Sequence, residues 1–433
     1  MDAILAIPLP IRLVALAVVG AVVGGFINLG VYRLAWRQRS ISPWSVPLAG
    51  APSRGLRDRI PIFGWPGLRR ESGLHGRGFW IRPLAVELLS AAVFAGLYLW
   101  ELDAPPLWQM ANGLQPPIKM LSSNLPLIVH ARYLSHIVVF SLMLVATLID
   151  IDEKTIPDEI TVPGTWIGLL FATVYPWSLL PAGDWIIGPL RHVEFLTLLS
   201  PDTEAAALGG LPLIQPLAIG LGCWTLWCGG LLPRRWNVRH GLKTAVRVFF
   251  HRLRKDLLTY QIASMWIIGA IAIAAVAWKA PLANWVGLLT ALVGMAAGGG
   301  IIWVVRIVGT AALRREAMGF GDVTLLAMIG SFVGWQTALL VFFLAPFMGI
   351  VVGVLQWIAH GEHEIPYGPF LCLATCGAIV EWRPLWDWAR PIFAMGWLLP
   401  ALLACCMGLM AGMLLGYRLI LQIIAGTRGA TRR

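Results

Sequence analysis

The sequence predicts an all-α, polytopic integral membrane protein of about eleven transmembrane helices, and three observations carry that reading. Of 433 residues, 58% are hydrophobic and 13% charged, a balance that leaves too little polar surface for a soluble domain of this length. Apolar runs of about 20 residues, enough to cross ~30 Å of hydrocarbon, recur from residue 11 to near residue 422. The basic residues behind the net charge of +11 gather in particular loops, as the positive-inside rule requires, so no nucleic-acid partner is expected.

The first run, Ile11 to Tyr32, follows Met1-Asp2 without a basic leader and is longer than a signal-peptide core, so it is expected to be the first span. It carries Gly20-Ala21-Val22-Val23-Gly24, a spacing that lets two helices approach closely. Residues 33–82 form an arginine-rich, proline-studded loop, placed in the cytosol with the N-terminus outside. Spans are expected from Pro83 to Trp100 and from Tyr133 to Asp150, joined by an external loop containing Glu101 and Asp103. The next runs from Ile160 to Trp177. An external loop with Asp184, Glu194, Asp202 and Glu204 follows, then a span from Leu213 to Leu232. The basic stretch Arg234 to Asp256 returns to the cytosol as a solvated loop or as an amphipathic helix lying on anionic lipid. Ile262 to Trp278 and Trp285 to Val308 form a pair, and a short segment to Val333 turns at Gly334-Trp335. Ala338 to Ile358, Phe370 to Trp382 and Pro391 to Leu419 complete the count. His360, Glu362, His363 and Glu364 lack a metal-ligand spacing and read as a solvated inner loop. The six cysteines lie in apolar segments without a Cys-x-x-Cys pair and read as helix fillers. The many tryptophans are expected at the membrane interfaces.

Against this apolar background two carboxylates stand out. Asp322 closes Met318-Gly319-Phe320-Gly321-Asp322 at the mouth of an apolar run, and Asp150 ends another in Leu148-Ile149-Asp150-Ile151-Asp152. A carboxylate at bilayer depth costs a few kcal/mol, so its default reading is functional. The span count puts both on the cytosolic side. Asp150 and Asp152 point about 200° apart on a helix, so at most one faces a partner. Gly319 and Gly321 open an approach to Asp322, while Ile156-Pro157-Asp158 reads as a turn into the next span with Asp158 as its cap.

Asp150 ahead of Pro157 and Asp158, followed by Gly319-Phe320-Gly321-Asp322, resembles the two-motif signature of the type IV prepilin peptidases, which are Gly-x-Gly-Asp intramembrane aspartic peptidases. Ile365-Pro366-Tyr367-Gly368-Pro369-Phe370 is similar to that family's C-terminal Pro-Phe-Gly-Pro-Phe motif. Gly25-Phe26-Ile27-Asn28 and Arg82-Pro83-Leu84-Ala85-Val86-Glu87-Leu88 resemble its N-terminal landmarks. The resemblance implies Asp150 and Asp322 as the catalytic pair, supported by Gly319, Gly321, Pro157, Asp158, Gly368 and Pro369. It further implies a prepilin or pseudopilin substrate with a short basic leader, cut after glycine at the cytosolic face of the bacterial inner membrane. In this layout residues 1–125 form an N-terminal region, and residues 126–433 form the peptidase domain with an insertion within about 180–300.

In bifunctional members of that family the first cytosolic loop carries two Cys-x-x-Cys pairs that bind zinc. Here the corresponding stretches are Ser42-Pro43-Trp44-Ser45 and Ser72-Gly73-Leu74-His75, so no bound metal is expected. The peptidase chemistry needs no cofactor; S-adenosylmethionine enters only if methyl transfer is retained. Two carboxylates brought together share one proton, which suits one to activate water and the other to hydrogen-bond the scissile carbonyl. Two other classes stay open at this point: a silent relative serving pilus or type II secretion assembly, which an uncut panel of prepilins would reveal, and a transporter, which inverted repeats would favour.

Overall fold

The structure is a computed structural model describing residues 7–37, 40–47, 50–103, 125–187, 190–201, 214–232, 257–314, 316, 318–360 and 366–430. The basic stretch 234–256, the acidic residues 202 and 204, and the cluster 362–364 lie outside the described residues. The chain is an all-α membrane protein. Its elements are α1 (Leu9–Leu34), α2 (Ile81–Asp103), α3 (Leu125–Glu153), α4 (Asp158–Val174), β1 (Pro181–Ile187), β2 (Leu190–Phe195), α5 (Ile214–Leu231), α6 (Leu257–Lys279), α7 (Leu282–Leu313), α8 (Phe320–His360), α9 (Gly368–Val380), α10 (Trp382–Phe393) and α11 (Leu398–Ala430).

Among the described residues eight helices are long and apolar enough to cross a membrane: α1, α2, α3, α5, α6, α7, α8 and α11. The other expected spans are accounted for differently. Gly334, at φ 81° and ψ 169°, divides α8 into two helical halves at the anticipated turn. With 17 and 13 residues, α4 and α9 are shorter than the others, and α9 rises only about 20 Å along its axis. The last span begins later than expected. Pro391 lies inside α10, a separate amphipathic helix carrying Arg383, Asp387 and Arg390, and α11 starts at Leu398.

α1 lies along α2, where a Cβ at Gly20 or Gly24 would strike Ser90, Ala91 or Glu87, so the small-residue spacing is used for contact. α7 and α8 pack along each other and against α4, with α9 and α3 on the remaining side of α8. The continuous core runs from Met143, Ala146 and Ile149 of α3 to Leu325, Ile329 and Phe332 of α8 and Leu371 and Ala374 of α9.

Three expectations about polar and aromatic residues are corrected. The loop after α4 contains an antiparallel hairpin, β1 with β2, pairing Gly183 with Glu194 and Ile187 with Leu190. Short strands have no hydropathy signature in a loop of mixed composition, which is why they went unread. Glu101 belongs to α2 and is buried, not in an external loop. Several tryptophans are buried, as Trp382 and Trp386 are, or half-buried, as Trp335 is, and their indole nitrogens donate to backbone oxygens: Trp382 to Pro181 at 2.7 Å, Trp386 to Ala182 at 2.6 Å and Trp335 to Leu198 at 3.0 Å. These bonds fasten the hairpin and the turn after it to α8 and α10, and a buried indole N–H needs such a partner.

Candidate active site

Asp150 sits in the last turn of α3, whose C-terminal end is fixed from several directions. Lys154, at φ 55°, turns the chain out of the helix, and its N–H donates to the Asp150 carbonyl at 2.8 Å. The Arg82 guanidinium donates to the Leu148 carbonyl at 3.0 Å and to the Asp152 carboxylate at 2.6 Å. Glu153 accepts the backbone N–H groups of Trp36 and Arg37 at 2.6 and 2.9 Å. A cation on the exposed carbonyls of a helix C-terminus offsets the partial negative charge there. Asp152 is therefore occupied with Arg82, while Asp150 points elsewhere.

Asp322 begins α8. Gly319 precedes the helix and its backbone N–H is directed at the Asp322 carboxylate, the return contact of a capping box. Asp150 and Asp322 are both buried, 4% and 8% exposed, and close enough for their charges to interact. The other element facing them is the N-terminus of α9. The Gly368 N–H is directed at Asp150, and among the described residues Asp150 Oδ2 makes no side-chain hydrogen bond. A Cβ on Gly368 would fall 2.5 Å from that oxygen and 2.9 Å from Ile156 Cδ1. A Cβ on Gly321 would fall 2.8 Å from the Ile156 Cβ. Glycine at these two positions is what lets three chain segments meet around the carboxylates.

The sequence-predicted residues thus converge: Asp150, Asp322, Gly319, Gly321 and Gly368 surround one point, with Pro369 in the first turn of α9. Pro157, at φ −69° and ψ 135°, is the residue before α4. Asp158 is corrected: it is the first helical residue, not a cap, and its Oδ1 accepts a long 3.5 Å hydrogen bond from Thr324 Oγ1 of α8. Four residues of the site went unremarked as such. Ile156 packs on both close-approach glycines, Thr324 also donates to the Gly321 carbonyl at 3.1 Å, and Tyr367 lies near Asp322. Cys372, read as a filler, is near both carboxylates; its position four residues after Gly368 puts it on the same face of α9.

An apolar cleft near this point, about 270 Å³, is lined by Phe320, Val323, Thr324 and Ala327 of α8 together with residues of α5 and α7. At 100° per residue these four project from the side of α8 opposite Asp322. That cleft backs the site and is not its mouth.

The arginine-rich loop between α1 and α2 is organised by charge. Arg54 donates to the carbonyls of Ser40, Ser42 and Ser45 at 3.2, 2.7 and 3.2 Å, and to both oxygens of Glu71 at 2.9 and 2.6 Å. Both side chains of this ion pair are buried. A guanidinium therefore joins the two stretches that would carry zinc cysteines. The residues present do not fit a metal there, because a cation fills the junction and its carboxylate is engaged with that cation. The Arg54 hydrogen bond is the main reason Glu71 titrates below the ordinary carboxylate range, against the opposing effect of burial. For Asp58 burial acts upward, and the bonds from Arg70 and the Gly55 amide outweigh it. Both groups bind protons more readily unfolded than folded, so their stabilisation is complete above the unfolded value and drains away as pH falls through the lower folded one. Amide hydrogen exchange, corrected for intrinsic rates, is expected to show residues 40–75 losing protection as pH drops below about 4.3, the usual glutamate value. Glu71→Gln should flatten that dependence; an unchanged acid profile in the variant would disprove the assignment.

The model of the type IV leader peptidase family matches residues 137–228 and 253–354, a region that contains both aspartates. A prepilin leader peptidase/N-methyltransferase of Pectobacterium carotovorum subsp. carotovorum is 25% identical over 269 residues, 56% of this chain and 84% of the relative. One from Dickeya chrysanthemi is 27% identical over 246 residues, 50% of this chain and 75% of the relative. One from Pseudomonas aeruginosa is 32% identical over 132 residues, 27% of this chain and 46% of the relative. No solved structure matches. The matched segments carry the two buried carboxylates together with Gly319 and Gly321, while Gly368 lies beyond them, and over these segments the chain is similar to the type IV leader peptidase family.

Proposed function

We propose that the chain is an aspartic endopeptidase that removes the short basic leader of a type IV prepilin or pseudopilin at the cytosolic face of the inner membrane, with Asp150 and Asp322 as its catalytic pair. The observation that carries this reading is the meeting of the two carboxylates at the end of the bundle from which the arginine-rich loop projects. The division of the chain at residue 125, into an N-terminal region and a peptidase domain, belongs to the same reading.

The chemistry follows from the arrangement. One carboxylate takes a proton from water as the water oxygen attacks the scissile carbonyl carbon. The protonated partner donates a hydrogen bond to the carbonyl oxygen, whose developing charge is stabilised in a site closed to bulk water. When the tetrahedral intermediate collapses, the C–N bond breaks and the leaving nitrogen receives the proton held by the pair, so no covalent intermediate forms. The test is incubation of detergent-purified protein with a model prepilin and mass spectrometry of the product. A mature N-terminus beginning after the leader glycine is the expected result, and an added methyl mass would show that methyl transfer accompanies cleavage. A panel of prepilins left intact by folded protein would overturn the proposal.

Gly368 gives a sharper test of the geometry. Gly368→Ala places a methyl against Asp150 Oδ2, and displacing a reacting group by about 1 Å costs on the order of 10²-fold. A hundredfold fall in kcat with little change in KM is expected. Gly377→Ala, on the same helix with no atom within 4 Å, is expected to cleave at the wild-type rate. Equal activity of the two variants would remove Gly368 from the site.

A further inference from the structure

A cavity of about 130 Å³ lies between α1, α2 and the cytosolic loop, walled by Phe26, Trp44, Asp58, Arg59, Trp65 and Glu87 among others. Its two carboxylates differ. Asp58 is paired with Arg70 at 2.6 Å. Glu87, 3% exposed, accepts hydrogen bonds from the Ile62 amide at 2.5 Å, Trp65 Nε1 at 2.8 Å and Asn28 Nδ2 at 3.5 Å. All three donors are neutral, and among the described residues no basic side chain forms an ion pair with it. Neutral donors orient a carboxylate but leave its charge uncancelled, and an uncompensated buried charge costs several kcal/mol. The cavity wall therefore presents a carboxyl group without a cationic partner beside two indole rings, surroundings that attract a cation. Arg59 illustrates that attraction, with its guanidinium 5.3 Å from the centre of the Trp44 ring.

We propose that this cavity binds a primary ammonium group on an unbranched alkyl chain, the chemistry of a lysine side chain, with Glu87 as counter-ion and Trp44 and Trp65 as walls. The volume is well below the ~300–1,000 Å³ typical of cofactor-sized sites, and the walls are largely apolar, which suits a short methylene chain ending in one charge. The position suits a peptide substrate. Glu87 is five residues along α2 from Arg82, about 7.5 Å of rise, and Arg82 grips Leu148 and Asp152 on either side of Asp150. Identifying the ligand as a leader lysine rests on the peptidase reading; the cation site itself does not. A peptide α-amine carries the same charge, but its branched backbone fits the narrow cavity less well.

The site is tested with full-length protein in detergent, titrating n-butylammonium and, as the uncharged probe, n-butanol, with binding read by ligand-observed NMR. Wild type is expected to bind butylammonium saturably, Glu87→Gln at least tenfold more weakly, and Arg59→Gln several-fold more tightly because a competing cation has gone. Glu87→Gln keeps one oxygen acceptor, enough for Trp65 and Asn28 on one side or for the Ile62 amide on the other, and the opposite signs of the two variants separate charge from misfolding. Equal binding by wild type and Glu87→Gln, or butanol binding as well as butylammonium, overturns the site. Two peptides then compete for it: one with an internal lysine and an acetylated N-terminus, one with a free N-terminus and no lysine. Displacement by the first supports the lysine assignment, and displacement by the second alone overturns it. No step measures cleavage, so this proposal and the peptidase reading fail independently.

Discussion

Asp150→Asn and Asp322→Asn are each expected to reduce leader removal by about 10⁴-fold or more, to the background of an assay, with the protein still folded. An amide keeps the size and one hydrogen-bonding oxygen of the carboxyl, so the substituted side chain can still accept from the Gly368 amide in the first variant and from the Gly319 amide in the second. It can neither take a proton from water nor hold the shared one, and loss of a general acid or base alone removes 10²- to 10⁴-fold. Because the two carboxylates act as a unit, the double variant is expected to be no slower than either single one. Asp152→Asn is the internal control. Its carboxylate is held by Arg82 in a partly exposed pair, which contributes about 1 kcal/mol or less, so activity should stay within about tenfold of wild type. Single-turnover cleavage with a melting curve for each variant decides the matter. A dead Asp152→Asn beside an active Asp150→Asn would place the first catalytic carboxylate two residues away.

Asp150 and Asp322 were legible in the sequence because a carboxylate closing an apolar run is expensive enough to stand out without knowledge of its neighbours. The Gly334 turn and the close approach at Gly20 and Gly24 were legible for a similar reason: small residues in a span have few other uses. What could not be read is which distant residue each polar group meets. Nothing in the spacing of Arg54 and Glu71 shows that they lock the arginine-rich loop, since both sit in a stretch with no periodicity. Hydropathy counts Cys372 and Leu371 alike whether they face lipid or a carboxylate, so α9 read as a full span although it is 13 residues long. It also counts indoles as interfacial anchors, whereas Trp382 and Trp386 are buried under a hairpin. The boundary error at Pro391 has the same origin: the apolar residues of α10 form one face of a short amphipathic helix, and a window average merged them with α11.

Glu101→Ala is expected to destabilise the protein by about 3–5 kcal/mol, the cost of leaving one charge of a buried pair without its partner. Glu101 accepts from Arg132 Nε at 3.1 Å and contacts His136 Nδ1 at 2.5 Å, and all three side chains are 3% exposed or less. Among the described residues Arg132 has no further outlet for its charge, because both of its Nη atoms are buried without a hydrogen-bond partner there. Removing the carboxylate would leave the whole guanidinium uncompensated. The double variant Glu101→Leu/Arg132→Met should recover much of the loss, since apolar residues of similar size often match a buried ion pair in stability. That recovery separates a charge effect from simple loss of packing, which the double change would not repair. The pair joins α2 to α3 at the end opposite the dyad. Arg132 and Asp150 are 18 residues apart in α3, about 27 Å of helix rise. The rate per folded molecule at low temperature should therefore stay near wild type in both variants while the melting temperature falls and then recovers. A fall in that rate without a fall in melting temperature would mean that the outer cluster sets the position of Asp150 rather than the stability of the helix pair.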